Sequence, residues 1–224
     1  MTTPLTIDTF VDLSRCLHGD RFKGTPAFQL VGKGLGAFVE SLLDELKVGD
    51  APVVKGTVHP GAFLSGRVYV AKGAVVEPTA MITGPCYVGP GAEVRHGAYI
   101  RGQVYVGPKA VVGHATEVKG SLFFDSAKAG HFAYVGDSVL GRDVNLGAGT
   151  KLANLPLVRR EVRVKHPLTG ALESSGLKKF GAIVGDEAQT GCNAVLSPGT
   201  LLMQKTAVMP CVHYRGTLTE GVAR

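Results

Sequence analysis

From Val58 the chain repeats with a period of six. Val58, Leu64, Val70, Val76, Ile82, Val88, Val94, Ile100, Val106, Val112, Val118 and Phe124 are all aliphatic or aromatic. Four positions after each of the first eleven stands a second column of mostly small residues: Ala62, Val68, Ala74, Ala80, Cys86, Ala92, Ala98, Val104, Ala110, Thr116 and Leu122. Neither the 3.6-residue period of an amphipathic helix nor the alternation of a hairpin fits this spacing. Gly and Pro fall at the bends, as in Pro60-Gly61, Gly89-Pro90-Gly91 and Gly107-Pro108, so each hexad predicts a short strand and a turn. Three hexads close a triangular coil, and coils stacked at the roughly 4.8 Å strand spacing form a parallel β-solenoid. The pattern breaks after Phe124, resumes in a shifted frame at Leu140 and Leu146, and returns as Val184, Thr190, Leu196 and Leu202.

The flanking and inserted segments read differently. Residues 1–50 predict a helical cap, with helix-like apolar spacing over Thr6 to Leu17 and Ala27 to Leu46; it is expected over the first coil, whose strand edges would otherwise be unpaired. Residues 51–210 form the predicted β-helix and 211–224 a C-terminal tail. Between 155 and 180 the alternation over Glu161 to His166, followed by Pro-Leu-Thr-Gly, predicts a protruding hairpin arm.

Composition agrees with a narrow interior. Among 224 residues there are 31 Gly and 12 Pro, aromatics make up 7% and Trp is absent, so the core must be built from small and aliphatic side chains. A chain this long needs neither disulfides nor a structural metal to bury a core. Cys16, Cys86, Cys192 and Cys211 form no C-x-x-C pair, which argues against a zinc ribbon or thioredoxin-like site and for a reducing compartment. No run approaches the ~18 apolar residues of a membrane span, and MTTPLTIDTF lacks signal-peptide regions, so a soluble, cytoplasmic protein is expected. The net charge of +6 is concentrated at 155–180, where Arg159, Arg160, Arg163, Lys165, Lys178 and Lys179 face only Glu161 and Glu173. Such a local patch suits a small anion better than nucleic acid.

The candidate chemistry clusters at the break in the repeat. The string from Lys128 reads K-A-G-H-F-A-Y-V-G-D, then N-L-G-A-G-T from Asn145, then Asn154. It resembles the acetyltransferase domain of the bifunctional glucosamine-1-phosphate acetyltransferase/N-acetylglucosamine-1-phosphate uridyltransferase family, and Lys179 to Asn193 resembles the next family segment. The resemblance spans roughly residues 50 to 200. It implies a mainly β, left-handed parallel β-helix that binds acetyl-CoA as co-substrate and needs no metal for acetyl transfer. His131 matches the family's catalytic base; Arg101, Lys119, Tyr134, Asn145 and Lys179 match sugar-phosphate positions. Ala148, Asn154 and Cys192 match acetyl-CoA positions, although the bacterial family usually has Ser at the last. No nucleotidyltransferase segment is found, so the acetyl-transfer half is expected alone. The insertion is longer than in the bacterial enzymes and looks more like archaeal-type sugar-phosphate nucleotidylyltransferase/acetyltransferases.

These residue types suit the chemistry. Histidine titrates near neutral pH and can accept a proton from an attacking amine, while a structural role is the alternative for a single histidine at a break. Arg101 and Lys119, eighteen positions apart, should stack on one corner, either as phosphate ligands or as a ladder of solvated charge. His96 and His114 share the same spacing and are read as turn residues rather than zinc ligands, since three close ligands are lacking. Cys192 as a nucleophile is disfavoured, because direct transfer needs no acyl-enzyme. The expected function is N-acetylation of glucosamine 1-phosphate or galactosamine 1-phosphate by a homotrimer, with no nucleic-acid or membrane partner. The alternatives are a non-catalytic scaffold for a separate nucleotidyltransferase, and a metal-dependent hydratase on the same solenoid.

Overall fold

The structure, a computed structural model, describes residues 5–158 and 160–224, so Arg159 of the basic patch and residues 1–4 of the predicted cap lie outside the described residues. Short parallel strands stack into three long sheets, called here faces A, B and C. Face A runs from Val53–Val54 to Thr217–Leu218, face B from Thr57–Val58 to Val222–Ala223, and face C from Phe63–Ser65 to His213–Tyr214. In each face every strand pairs with the strand one coil away, as a solenoid of three-sided coils requires. Because the last strands of all three faces lie within 213–223, residues 211–224 are no tail; they close the final coil.

The predicted columns point inward along most of the chain. Val70 to Val118 and the small residues Ala74, Ala80, Ala92, Ala98 and Ala110 form one buried interior cluster. The exceptions are Leu122 and Phe124, which turn outward into a second cluster, while Phe123 enters the interior. The cause is the loss of one residue per coil. Val94 pairs with Val112 eighteen positions on, but Val111 pairs with Lys128 only seventeen on. The residue is lost at the corner from face C to face A, so that inward positions step from Val118 to Phe123, and again from Val135 to Leu140, by five. Since strand side chains alternate, a slip of one exchanges inside and outside. Both shortened corners are closed by serine: Ser121 Oγ donates to the Lys119 carbonyl at 2.8 Å, and Ser138 Oγ to the Gly136 carbonyl at 2.8 Å.

Residues 5–50 do not cap the open end. They lie along face A, where Ile7, Phe10, Phe22, Leu35, Val39 and Leu43 are packed against its outward residues. That face carries a ladder of rings, Tyr69 on Tyr87 at 5.8 Å and Tyr87 on Tyr105 at 5.1 Å, with Phe22 edge-on to Tyr105 and Phe124. Among the buried residues described, every aromatic but Phe123 lies in this outer layer, which has room for rings. The solenoid also supplies acceptors to the segment's backbone: Asp186 takes the N–H of Asp12 at 2.9 Å and Asp125 that of Leu17 at 3.2 Å. These bonds, with the Asp12 side chain accepting from Ser14 N–H, replace the helix expected over Thr6 to Leu17 by isolated 3-10 turns at Ile7–Thr9 and Leu13–Arg15. The second expected helix starts late, as α1 (Lys33–Glu45), because Gly32 has a φ of 62°.

The arm leaves the solenoid after Asn154 and returns at Phe180, whose N–H donates to the Asn154 carbonyl at 2.9 Å. It contains the expected antiparallel hairpin, Arg163–Lys165 with Leu172–Ser174. Rather than protruding freely, it buries Val162 and Val164 in the outer cluster with Leu201.

The register assignment has a direct test. Truncating Phe123, the one aromatic among the fully buried interior residues described, should cost about 3–5 kcal/mol in denaturant unfolding. A loss below 1 kcal/mol for Phe123→Ala would contradict its placement inside the coil.

Candidate functional site

Two groups of residues gather on opposite edges of face C. The first lies at the corner between faces B and C. His114 pairs with His131 in register, and their carbonyls accept from the next turn of the ladder, His114 from Phe132 N–H at 2.7 Å and His131 from Gly149 N–H at 3.0 Å. The same ladder continues with Asn193 N–H donating to the Ala148 carbonyl at 2.8 Å and Cys211 N–H to the Cys192 carbonyl at 2.9 Å. His96, His114, His131, Ala148 and Cys192 therefore occupy one column. His131 belongs to it only because the intervening coil is one residue short, which the eighteen-residue spacing of His96 and His114 did not reveal. Gly113 permits the close approach there; a Cβ on it would lie 1.8 Å from the Gly130 carbonyl oxygen.

Along this column His131 is exposed, and among the described residues its imidazole makes no hydrogen bond. The N–H groups of Ala148 and Cys192 likewise have no acceptor among the described residues. The corner thus combines an accessible proton acceptor with unpaired amide donors, the two elements that acyl transfer requires. Phe132, at a φ of 35° and 53% exposed, stands beside them as an apolar wall. His96 and His114 stack with centroids 4.0 Å apart, and no group of three or more His, Cys, Asp or Glu among the described residues is placed to hold a metal ion.

The second group lies at the corner between faces C and A. Lys119 Nζ donates to Asp137 Oδ1 at 3.0 Å, and the Asp137 side chain is only 3% exposed. Asn154 donates from its amide nitrogen to the other Asp137 oxygen, and the Tyr134 hydroxyl donates to Asn154 Oδ1 at 3.3 Å. Gly120 makes space for the carboxylate, since a Cβ there would sit 2.5 Å from Asp137 Oδ1. Asp137 ends the string K-A-G-H-F-A-Y-V-G-D, in which neither residue type nor spacing assigns it a role. Its burial and two partners make it the hub of this corner, a contact that the shortened coils create. Burial raises the Tyr134 phenol above its ordinary pKa, so the hydroxyl stays a donor.

Lys119 and Asp137 open onto a cleft of about 660 Å³ between residues 28–34 of the flanking segment and residues 175–179 of the arm. Lys33, Lys178, Lys179 and Gln103 also line it. Lys119 and Lys179 thus line one cleft, with two further lysines that the repeat could not indicate. Arg101 lies one coil below Lys119 and is held by Glu117 at 2.7 Å, which raises the pKa of its guanidinium.

Within one chain the structure does not unite all the expected partners. Asn154 was grouped with Ala148 and Cys192 but sits at the far edge of face C, buried and bonded to Asp137 and Tyr134. Asn145 was grouped with Lys119 but starts the strand Asn145–Leu146 on face B, exposed and outside the cleft. The two edges are separated by a three-residue strand and its corners, roughly 10 Å. Tyr134 spans this gap, beginning next to the His131 corner and ending at Asn154.

Comparison with known proteins finds relatives of part of the chain. Residues 82–171 match the model of the GMPPB C-terminal domain family. A bifunctional sugar-1-phosphate nucleotidylyltransferase/acetyltransferase of Sulfurisphaera tokodaii is 40% identical over 90 residues, 40% of this chain and 22% of the relative. A bifunctional protein GlmU of Methanococcus vannielii is 37% identical over 79 residues, 35% of this chain and 18% of the relative. The chain thus matches about a fifth of the length of these relatives. Among solved structures, a Francisella novicida UDP-N-acetylglucosamine acyltransferase superposes with a TM-score of 0.54 at 11% identity, covering 74% of this chain and 59% of that one, a likeness of fold alone. The chain is a mainly β protein, a left-handed parallel β-helix, and about 40% of its length is similar in sequence to bifunctional nucleotidyltransferase/acetyltransferases.

Proposed function

We propose that this protein is an acetyl-CoA-dependent N-acetyltransferase acting on a hexosamine 1-phosphate, glucosamine 1-phosphate or galactosamine 1-phosphate, with His131 as general base. The observation that carries the reading is the column that holds an exposed, unpaired imidazole at His131 and the free N–H of Ala148 on the next coil. His131 takes the proton from the sugar amine as its nitrogen attacks the thioester carbonyl. The Ala148 N–H faces the oxygen on which charge develops. Collapse of the tetrahedral centre breaks the C–S bond, and His131 returns the proton to the departing thiolate, leaving an amide and a free thiol. Cys192, one coil further, would lie along the bound thioester. The sugar phosphate is held by Lys119, Lys179 and Arg101, with Tyr134 spanning face C between the phosphate and His131.

Asn145 and the separation of the two edges point to a shared site. Face A is covered by the flanking segment, so only faces B and C are free to meet other copies. A cyclic trimer joins unlike faces of neighbouring chains, and Phe63 at 58%, Met81 at 39% and Tyr99 at 38% exposure form an apolar column on face C for such a contact. Asn145 of one copy would then complete the site on another. Sedimentation at micromolar concentration is expected to give a trimer; a monomer that retains full turnover would remove the shared site.

His131→Ala should lower turnover about 100-fold or more with little change in acetyl-CoA affinity, measured by thiol release. Unchanged turnover would favour the scaffold reading. Lys119→Ala should raise KM for the sugar phosphate about 10- to 100-fold and leave KM for acetyl-CoA nearly constant. A defect confined to acetyl-CoA would invert the placement of the two substrates.

A further inference from the structure

Beneath the arm lies a second pocket, of about 650 Å³, which the proposed chemistry does not use. Its walls come from the arm and from the last coils of face C, and they carry Arg160, Arg163, Lys165 and Arg215. None of these four is in an ion pair among the described residues. The one carboxylate in the lining, Glu161, accepts instead from the Ser174 hydroxyl and the Gly176 N–H. The pocket therefore carries a net positive charge, four cations against one carboxylate. Against it stand apolar side chains held out to solvent, Leu157 at 103%, Val158 at 71% and Leu172 at 55% exposure. Leaving them exposed has a cost, and a flat apolar ligand group would relieve it.

The pocket is built rather than loose. Val162 and Val164 anchor the arm in the outer cluster, the Thr217 hydroxyl donates to the Lys165 carbonyl, and Arg163 Nη2 donates to the Leu172 carbonyl at 3.1 Å. Position decides which anion fits. The strands Tyr134–Gly136, Lys151–Leu152, Val195–Leu196 and His213–Tyr214 are successive on face C, so Arg215 lies three coils beyond His131, roughly 14 Å along the axis, and on the opposite edge of that face, roughly 10 Å across, or about 17 Å in all. A hexosamine phosphate on His131 cannot reach that far. A thioester whose acyl end is at His131 and whose nucleotide end is on a long flexible arm can.

We infer that the pocket under the arm binds the nucleotide end of coenzyme A, an adenosine phosphorylated at its 3' and 5' positions, with the base on the Leu157, Val158 and Leu172 rim and the phosphates on Arg160, Arg163, Lys165 and Arg215. The inference rests on the acetyl-transfer reading above and assigns a role to an insertion that the repeat does not need. Charge-assisted hydrogen bonds to phosphate make the 3'-phosphate worth about tenfold or more in affinity.

The test is calorimetric titration of the full chain with coenzyme A, 3'-dephospho-coenzyme A, adenosine 3',5'-bisphosphate and UDP. Coenzyme A should bind at least about tenfold tighter than its dephospho form, and adenosine 3',5'-bisphosphate should displace it while UDP does not. The triple variant Arg160→Gln, Arg163→Gln, Arg215→Gln should erase the tenfold difference; if it fails to fold, Arg215→Gln alone should reduce it. Equal affinity for the two coenzymes, or displacement by UDP as effective as by the adenosine bisphosphate, overturns the inference while leaving acetyl transfer standing. Absence of any coenzyme A binding by the unmodified chain overturns both.

Discussion

The interior of a three-sided coil accepts one large aliphatic and one small inward residue per side, and the placement of the site residues follows from keeping that register. Strand side chains alternate, so one omitted residue sends every following side chain to the opposite face unless the corner absorbs the change. Here the corners at Gly120 and Asp137 absorb it, with positive φ of 55° and 44° and serine hydroxyls bonded to the carbonyls they bracket. The two shortened corners then do more than restore the frame. They stack Lys119, Asp137 and Asn154 on one edge, and they bring His131 into the column already occupied by His96 and His114.

Charge and shape are divided among the three sides accordingly. Face A is an aromatic surface covered by the flanking segment, and its carboxylates Asp125 and Asp186 accept that segment's backbone donors. Burial raises the pKa of both carboxyls. Faces B and C stay open and converge on the corner where the exposed His131 lies. The arm is inserted at the one corner where it can wall both the lysine cleft on one side and the arginine pocket on the other.

Much of this was legible in the residues. Eleven of the twelve hexad positions from Val58 to Val118 face inward as the period requires, and the coil composition followed from how little space they enclose. The twelfth failed because Phe123 and Phe124 are chemically alike, so the sequence offers no contrast at the step that shortens. The flanking segment was misplaced for a different reason: its partners Tyr69, Tyr87 and Tyr105 recur every eighteen residues, but the contact is between distant parts of the chain and no local spacing in residues 5–50 announces it. Of the candidate site, Ala148 and Cys192, set together by the resemblance, share a column with His131, a placement that follows from the ladder once the shortened coil is known. Asn154, set with them, lies on the other edge of face C, because its carboxamide is directed by Asp137, a buried partner whose position depends on the corner geometry.

The account as a whole depends on whether this corner transfers an acetyl group to an amine. The most direct measurement is mass analysis of the products after incubating the full chain with acetyl-CoA and, separately, glucosamine 1-phosphate and galactosamine 1-phosphate, with thiol release followed in parallel. An N-acetylated sugar phosphate formed in equal amount to the free thiol is the predicted result. Thiol release without an acetylated sugar, or no consumption of acetyl-CoA with either amine, would contradict it.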